Sequence, residues 1–430
     1  MHQQHFNWLA GQWVGAERGR TFEAAGGAWP RSGEADLRAA FGCLESDGGA
    51  WAAMDRRERH ALLVRARARL RADGHLAREL GRGLGLVGDE ADSHLEEDLF
   101  QLDQALEILR DGGVGRPPVA GVFRAHWSDR VGRLAARSAL RLVAGQRVLL
   151  IADPRLPNAA EAWVRALAEA GLPPGALALL HADTGDLFEQ AIGAHAAAWI
   201  RMVGHTEELA CAATRVPAGL RDSGSFWLLR SRTGLVFADD DPARAAEAIV
   251  ADAFGRRTSL SGQLPGHVAR VVCHQRNFSR FTQSLLDRVE ADPDVAQPVP
   301  MIEAGAFEHL RSSWELGLDE GATPIFGGRP GDREPTPAEA PQSGALGKPF
   351  GAGIPARYLE GRRARRATPL IFTNVEPRQR LACLVRPEPL LRLVRAASDE
   401  AVRQLAEDLD RPPPEPAGPQ ESGVRTLEPG

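Results

Sequence analysis

From Gly121 onward the chain alternates short apolar runs with helical segments, and this alternation constrains the fold more than any other feature. VAGVFRAHW precedes RVGRLAARSALRLVAG, and QRVLLIAD precedes NAAEAWVRALAEAG; ALALLHAD, HAAAWIRMVGH and GLVFADDD continue the series. The helical segments carry apolar residues at i, i+3 and i+4, and the one beginning at Arg130 is expected to stop at Gly145. Short buried strands separated by helices are joined most simply as parallel strands with right-handed crossovers. The expected fold class is therefore α/β, with a Rossmann-like, doubly wound parallel sheet.

Ahead of this series stand a strand FNWLAGQW, a turn VGAERG and a strand RTFEAAGG. Three helical segments follow, EADLRAAFGCLESDGGAW, RRERHALLVRARARLRADGHLARELGRGL and ADSHLEEDLFQLDQALEILRD. A second strand-and-helix segment begins near Gly262 with HVARVVCHQ. Residues 329–347 are rich in Pro, Gly and small polar residues and read as an exposed linker. The expected division is a first domain over 1–252, a reduced second α/β domain over 253–410, and an unstructured Pro-rich tail over 411–430.

Composition narrows the function classes. A chain of 430 residues with 43% apolar and 25% charged residues is that of a soluble globular protein, and its net charge of −5 gives no footprint for nucleic acid or an acidic membrane. Lys348 is the only lysine, which excludes a Schiff-base lysine elsewhere. MHQQHFNWLAGQWVG lacks the pattern of a signal peptide, and no apolar segment has the length of a membrane span. Cys43, Cys211, Cys273 and Cys383 have no metal-ligand spacing, so no metal site is expected; reduced thiols and a cytoplasmic location are.

Several stretches, in order, resemble the aldehyde dehydrogenase superfamily. NWLAGQWV is similar to that family's first strand, and WAAMDRRERHALLVRARARLR to its early helix. LVAGQRVLLIADPRLP resembles its segment of Ala-Gly-Asn, apolar strand and Lys-Pro-Ser-Glu. ALAEAGLPPGALALLH resembles its Ala-Gly-Leu-Pro-Pro-Gly turn. LVFADDDPARAAEAIVADAFG with the following Gly-Gln resembles the approach to its catalytic cysteine, and PLIFTNVEPRQRLACLVRPEPLLRLV the segment around Glu-x-Phe-Gly-Pro. The resemblance covers roughly residues 6–405 and implies an oxidoreductase frame with a nicotinamide cofactor.

Thiohemiacetal chemistry requires a thiolate, oxyanion donors, a base for water and a bound nicotinamide. At the position of the family's nucleophile, in Gly-Gln-x-Cys, the chain has Pro265, although Gly262, Gln263 and Arg270-Val271 hold the register. Proline has no nucleophile and no backbone N–H for an oxyanion hole. Cys273 lies in an apolar run and reads as core. The family's Pro-Trp-Asn corresponds to His126-Trp127-Ser128, so Ser128 replaces the amide donor; His126 beside an aromatic reads as structural. Trp227 stands at the position of the general base, with Leu229 and Arg230 where the family has glycines.

The cofactor positions differ as well. Ile151-Ala152-Asp153-Pro154 stands where the resemblance puts the ribose-binding Lys-Pro-Ser-Glu, so Ile151 and Pro154 replace the Lys and the Glu. Of the pyrophosphate turn Gly204 remains, followed by His205, while Glu207 and Glu208 place negative charge at a helix start. Glu388 matches the Glu that contacts the nicotinamide ribose and, with its partners missing, reads as a solvated loop residue. The family's oligomerisation hairpin is replaced by GGVGRPP, and its final strand has no counterpart after Glu388, so its domain-swapped dimer is not expected.

The expectation is an aldehyde-dehydrogenase-like pseudoenzyme with no cofactor, acting as a scaffold or regulatory subunit for a protein partner such as an active relative or a pathway enzyme. The alternative is a divergent NAD(P)-dependent aldehyde or acyl oxidoreductase using His126, Ser128, His205, His267 or Glu388.

Overall fold

The computed structural model describes residues 3–24, 27–86, 88–111, 119–183, 186–194, 198–205, 209, 216, 224–296, 298–302, 304–328, 330, 366–384 and 386–411. Lys348, Cys211, Glu207, Glu208 and nearly all of the expected linker and tail lie outside these residues. The chain divides into two compact units, one ending at Leu228 and the other beginning at Leu229.

The first unit is built on a sheet of seven strands. From edge to edge these are Gly224–Leu228, Ile200–Gly204, Ala120–Arg124, Arg147–Ala152, Leu177–His181, Asn7–Leu9 and Gln12–Val14. The first five are parallel. The chain starts from Ala120–Arg124, winds to one side, then returns to the other, so the carboxyl ends of Ala120–Arg124 and Ile200–Gly204 flank the topological switch point.

Each inner strand is buried almost throughout, which is why it reads as an uninterrupted apolar run. Val122, Leu149, Ile151, Leu180, Ile200 and Met202 face one layer. There they pack with Leu37, Phe41 and Leu44 of helix Glu34–Ser46 and with Phe188 and Ile192 of helix Asp186–Ala194. Helices Arg130–Val143 and Pro157–Glu169 pack against the same strands from the other side.

Two local differences from expectation have simple causes. FNWLAGQW is a hairpin rather than one strand, because Ala10 and Gly11 both take positive φ (49° and 79°) and reverse the chain. The long helix expected to end near Leu84 is broken into Arg56–Ala72 and Leu76–Leu84. Asp73 is extended (ψ 94°) and interrupts it.

The second unit has a five-stranded sheet in the order Arg232–Val236, Val268–His274, Leu390–Ala396, Leu370–Thr373 and Thr323–Phe326. Only the last strand is antiparallel to its neighbour. GLVFADDD was expected to extend the first sheet. Instead Arg232–Val236 pairs with Val268–His274, and helix Pro242–Phe254 joins the core of the second unit, so the division falls before residue 252. Helices Pro242–Phe254 and Gln275–Ala291 supply Val250, Phe254, Phe281 and Leu285 to one side of the sheet. Helices Ala304–Asp319 and Asp399–Asp410 supply Leu310, Val402 and Leu409 to the other.

Among the described residues no helix is long and apolar enough to cross a membrane, and no His, Cys, Asp and Glu side chains group so as to hold a metal ion.

Gly132 in helix Arg130–Val143 lies against the Asp98 backbone of helix Asp89–Asp111, where an added Cβ would overlap backbone atoms. Backbone cannot rotate aside as a side chain can. Gly132→Ala is expected to cost about 2–3 kcal/mol by urea denaturation. A cost below roughly 0.5 kcal/mol contradicts this contact.

Candidate functional site

The loop between helix Pro242–Phe254 and strand Val268–His274 carries Pro265. Its backbone turns through the left-handed region at Leu260 (φ 50°), Ser261 (φ 55°), Gly262 (φ 82°) and Gly266 (φ 87°). Leu260 and Ser261 each store roughly 1 kcal/mol of strain there, so the loop must be held from outside.

The holding contacts explain the Gly-Gln pair. A Cβ on Gly262 would stand 2.8 Å from the Glu388 carbonyl oxygen and 3.0 Å from Pro389 Cα. Gly262 therefore meets both a conformational and a steric demand. The Gln263 side-chain amide donates to the carbonyls of Leu260 and Pro300, each at 3.1 Å, and accepts from the Ile302 N–H at 2.9 Å. Ser259 Oγ accepts the Gly262 N–H at 3.0 Å. Beyond half-buried Pro265, Gly266 N–H donates to the Arg230 carbonyl at 2.7 Å. This backbone frame does not depend on the side chain at position 265.

Glu388 corrects an expectation. It is not a solvated loop residue but is 2% exposed, ion-paired with Arg392 and accepting from Ser313 Oγ at 3.1 and 3.2 Å. Burial pushes its pKa up against the opposing pull of Arg392. Loss of the family's Phe-Gly-Pro did not free this carboxylate, because Arg392, four residues on in strand Leu390–Ala396, occupies it.

Arg270, predicted only as a register marker, is a buried hub. Its guanidinium donates to Asp410 Oδ1 at 2.5 Å, Thr233 Oγ1 at 3.1 Å and the Ala382 carbonyl at 3.1 Å. Cys273 sits in the core with burial pushing its thiol up to about 12, as its apolar strand predicts.

At the switch point of the first unit, His126 and Ser128 are both buried and joined by a 2.8 Å bond between Nδ1 and Oγ. The same Nδ1 accepts the Ser128 N–H at 3.2 Å, so this pair closes the short helical turn Trp127–Asp129. Burial and the nearby Arg155 hold the imidazole well below its usual pKa, hence neutral. The ring of His205, after Gly204, stands edge-on to it at 5.9 Å.

The described residues here do not fit the ribose of a dinucleotide. The Ile151 side chain points into the apolar core. Asp153 has both oxygens engaged, accepting from Arg155 (N–H, 2.8 Å; Nε, 2.8 Å; Nη2, 2.5 Å) and from the Trp127 N–H at 2.9 Å. Pro154 lies half-buried in the turn that follows, and Pro157 opens the next helix, so one backbone N–H group is missing from the first turn of this helix.

Trp227, on the edge strand Gly224–Leu228, is half-buried. Its ring lies 4.7 Å from the Arg201 guanidinium and 5.2 Å from that of Arg137. The position resembling a general base thus carries an indole against two cations. Sequence reading missed both partners, although an arginine inside the apolar run WIRMVG was a visible signal.

Two fully buried histidines link pH to stability. His267 donates from Nδ1 to the Leu264 carbonyl at 2.6 Å, its Nε2 is buried without an acceptor, and its pKa is pushed down from 6.5 to about 4. His181, one in each unit with it, is likewise lowered to about 4. Neutral in the fold, each takes up a proton more readily when unfolded. Their contribution is complete above pH 6.5 and is lost as pH falls toward 4. Chemical denaturation at stepped pH is expected to show a loss of about 3 kcal/mol for His267 over that range, absent in His267→Gln. An unchanged pH profile in the variant contradicts the assignment.

The chain is similar to known proteins both in sequence and in fold. The model of the aldehyde dehydrogenase family matches residues 131–340, a stretch that includes Ile151, Gly204, Trp227 and Pro265. A 1-pyrroline-5-carboxylate dehydrogenase 2 of Bacillus subtilis is 24% identical over 302 residues, covering 63% of this chain and 57% of its own length. That of Halalkalibacterium halodurans is 26% identical over 318 residues, covering 67% and 60%. The chain thus spans less than two thirds of the length of these curated relatives. The solved structure of a lactaldehyde dehydrogenase shares the fold with a TM-score of 0.77 at 18% identity, covering 95% of this chain and 85% of that one. A Thermus thermophilus 1-pyrroline-5-carboxylate dehydrogenase mutant gives 0.75 at 18% identity, covering 95% and 79%. The chain is thus similar to the aldehyde dehydrogenase family in sequence over residues 131–340 and shares its α/β fold.

Proposed function

We propose that this chain is a non-catalytic member of the aldehyde dehydrogenase superfamily, a scaffold or regulatory subunit that binds another protein. An active relative or an enzyme of the same pathway is the partner class. The observation that carries this reading is the loop around Pro265. Gly262 and Gln263 keep the backbone frame of a nucleophile loop, while the residue at its centre has neither thiol nor N–H.

Other positions support the same reading. Without an oxyanion donor, acyl transfer loses roughly 100- to 1000-fold, and Ser128 is turned to His126 instead. The Trp227 indole has no lone pair free to take a proton from water, and Ile151 offers a ribose no hydrogen bond. The relatives named for oxidation of 1-pyrroline-5-carboxylate would need all four functions, so that activity is not extended to this chain.

Loss at several positions gives a specific expectation. Pro265→Cys restores a thiol but not a base or a ribose contact, and is expected to leave aldehyde-dependent reduction of NAD and NADP at background. The measurement is nicotinamide absorbance with a panel of short aldehydes, run beside affinity capture of the unaltered protein from native lysate. Turnover by the unaltered chain would overturn the proposal in favour of a divergent oxidoreductase.

A further inference from the structure

One face of the first sheet gathers three arginines, of which Arg201 has no hydrogen-bond or ion-pair partner among the described residues. Arg201 projects from strand Ile200–Gly204 on the same side as Trp199, two residues earlier. It is 4% exposed, and its guanidinium lies against the Trp227 ring at 4.7 Å and the Phe123 ring at 5.8 Å. Arg137 approaches Trp227 at 5.2 Å, and Arg141 stands over Trp199 at 4.5 Å.

The opposing charge is already taken. Asp129, the carboxylate that acts on Arg201, is ion-paired with Arg137. Among the described residues Arg201 makes no hydrogen bond or ion pair, and its Nε is buried without an acceptor. The Trp199 indole N–H, two residues earlier on the same face, is also buried without one. Burial, then repulsion from Arg137, lowers the Arg201 pKa to about 9, so it is still charged at neutral pH. A buried cation with unfilled donors is strongly unfavourable, and aromatic faces offset only part of that.

We propose that Arg201 is the fixed cation of an anion-binding site on this face, with the Trp199 N–H as a second donor and Trp227 as its aromatic wall. The ligand group is a compact oxyanion, a phosphate or a carboxylate, whose paired oxygens match the guanidinium fork. This site goes beyond the scaffold reading and does not depend on it, since a dehydrogenase or a scaffold could carry it.

The test is calorimetric titration of the full chain with sodium phosphate and, separately, sodium acetate at constant ionic strength. Saturable binding of at least one is expected, and the anion that binds identifies the ligand group. Arg201→Met is expected to weaken binding by roughly tenfold or more. Trp227→Glu places an internal carboxylate beside both guanidiniums and is expected to abolish binding while the protein stays folded. It decides the matter if Arg201→Met does not fold. Absence of saturable binding by both anions overturns the proposal. So does wild-type affinity in either folded variant.

Discussion

The ion pair of Glu388 and Arg392 carries more of the second unit than its two residues suggest. Arg392 lies in the middle of the sheet, is 0% exposed and also donates to the Ala269 carbonyl at 3.3 Å. The Glu388 and Pro389 backbone, held beside this pair, forms the surface on which Gly262 rests. Removing either partner would leave a buried charge and cost about 3–5 kcal/mol, a large part of a typical domain's stability. A residue that resembles a cofactor contact is, in this chain, part of the framework under the loop.

That change of role links fold and function. The loop containing Pro265 is fixed by Gly262, by Gln263 and by the Glu388 backbone, so its shape survives without a thiolate. In the first unit the same pattern recurs. Ser128 and His126 bond to each other to cap a turn, Asp153 is saturated by Arg155 and Trp127, and Trp227 sits against two guanidiniums. Groups that chemistry would leave available are committed to one another.

Much of the fold was legible in the residues. Wholly buried strands read as apolar runs, and Gly145, with φ 85°, ends its helix where the pattern breaks. What was not legible depends on distant partners. Nothing local tells GLVF which sheet to join, because that is decided by pairing with Val268–His274. Glu388 looked solvated because Ser313, one of its partners, lies 75 residues away. Of the candidate site, the Gly-Gln frame was visible as a motif, whereas the arginines around Trp227 come from a helix and a strand remote in sequence.

The proposed non-catalytic role predicts that the chain binds neither nicotinamide dinucleotide. Its most direct test is isothermal calorimetry of the full chain with NAD and with NADP at neutral pH. Loss of the ribose contact at Ile151 and the engaged state of Asp153 require a flat isotherm with both. Saturable binding of either dinucleotide would contradict it.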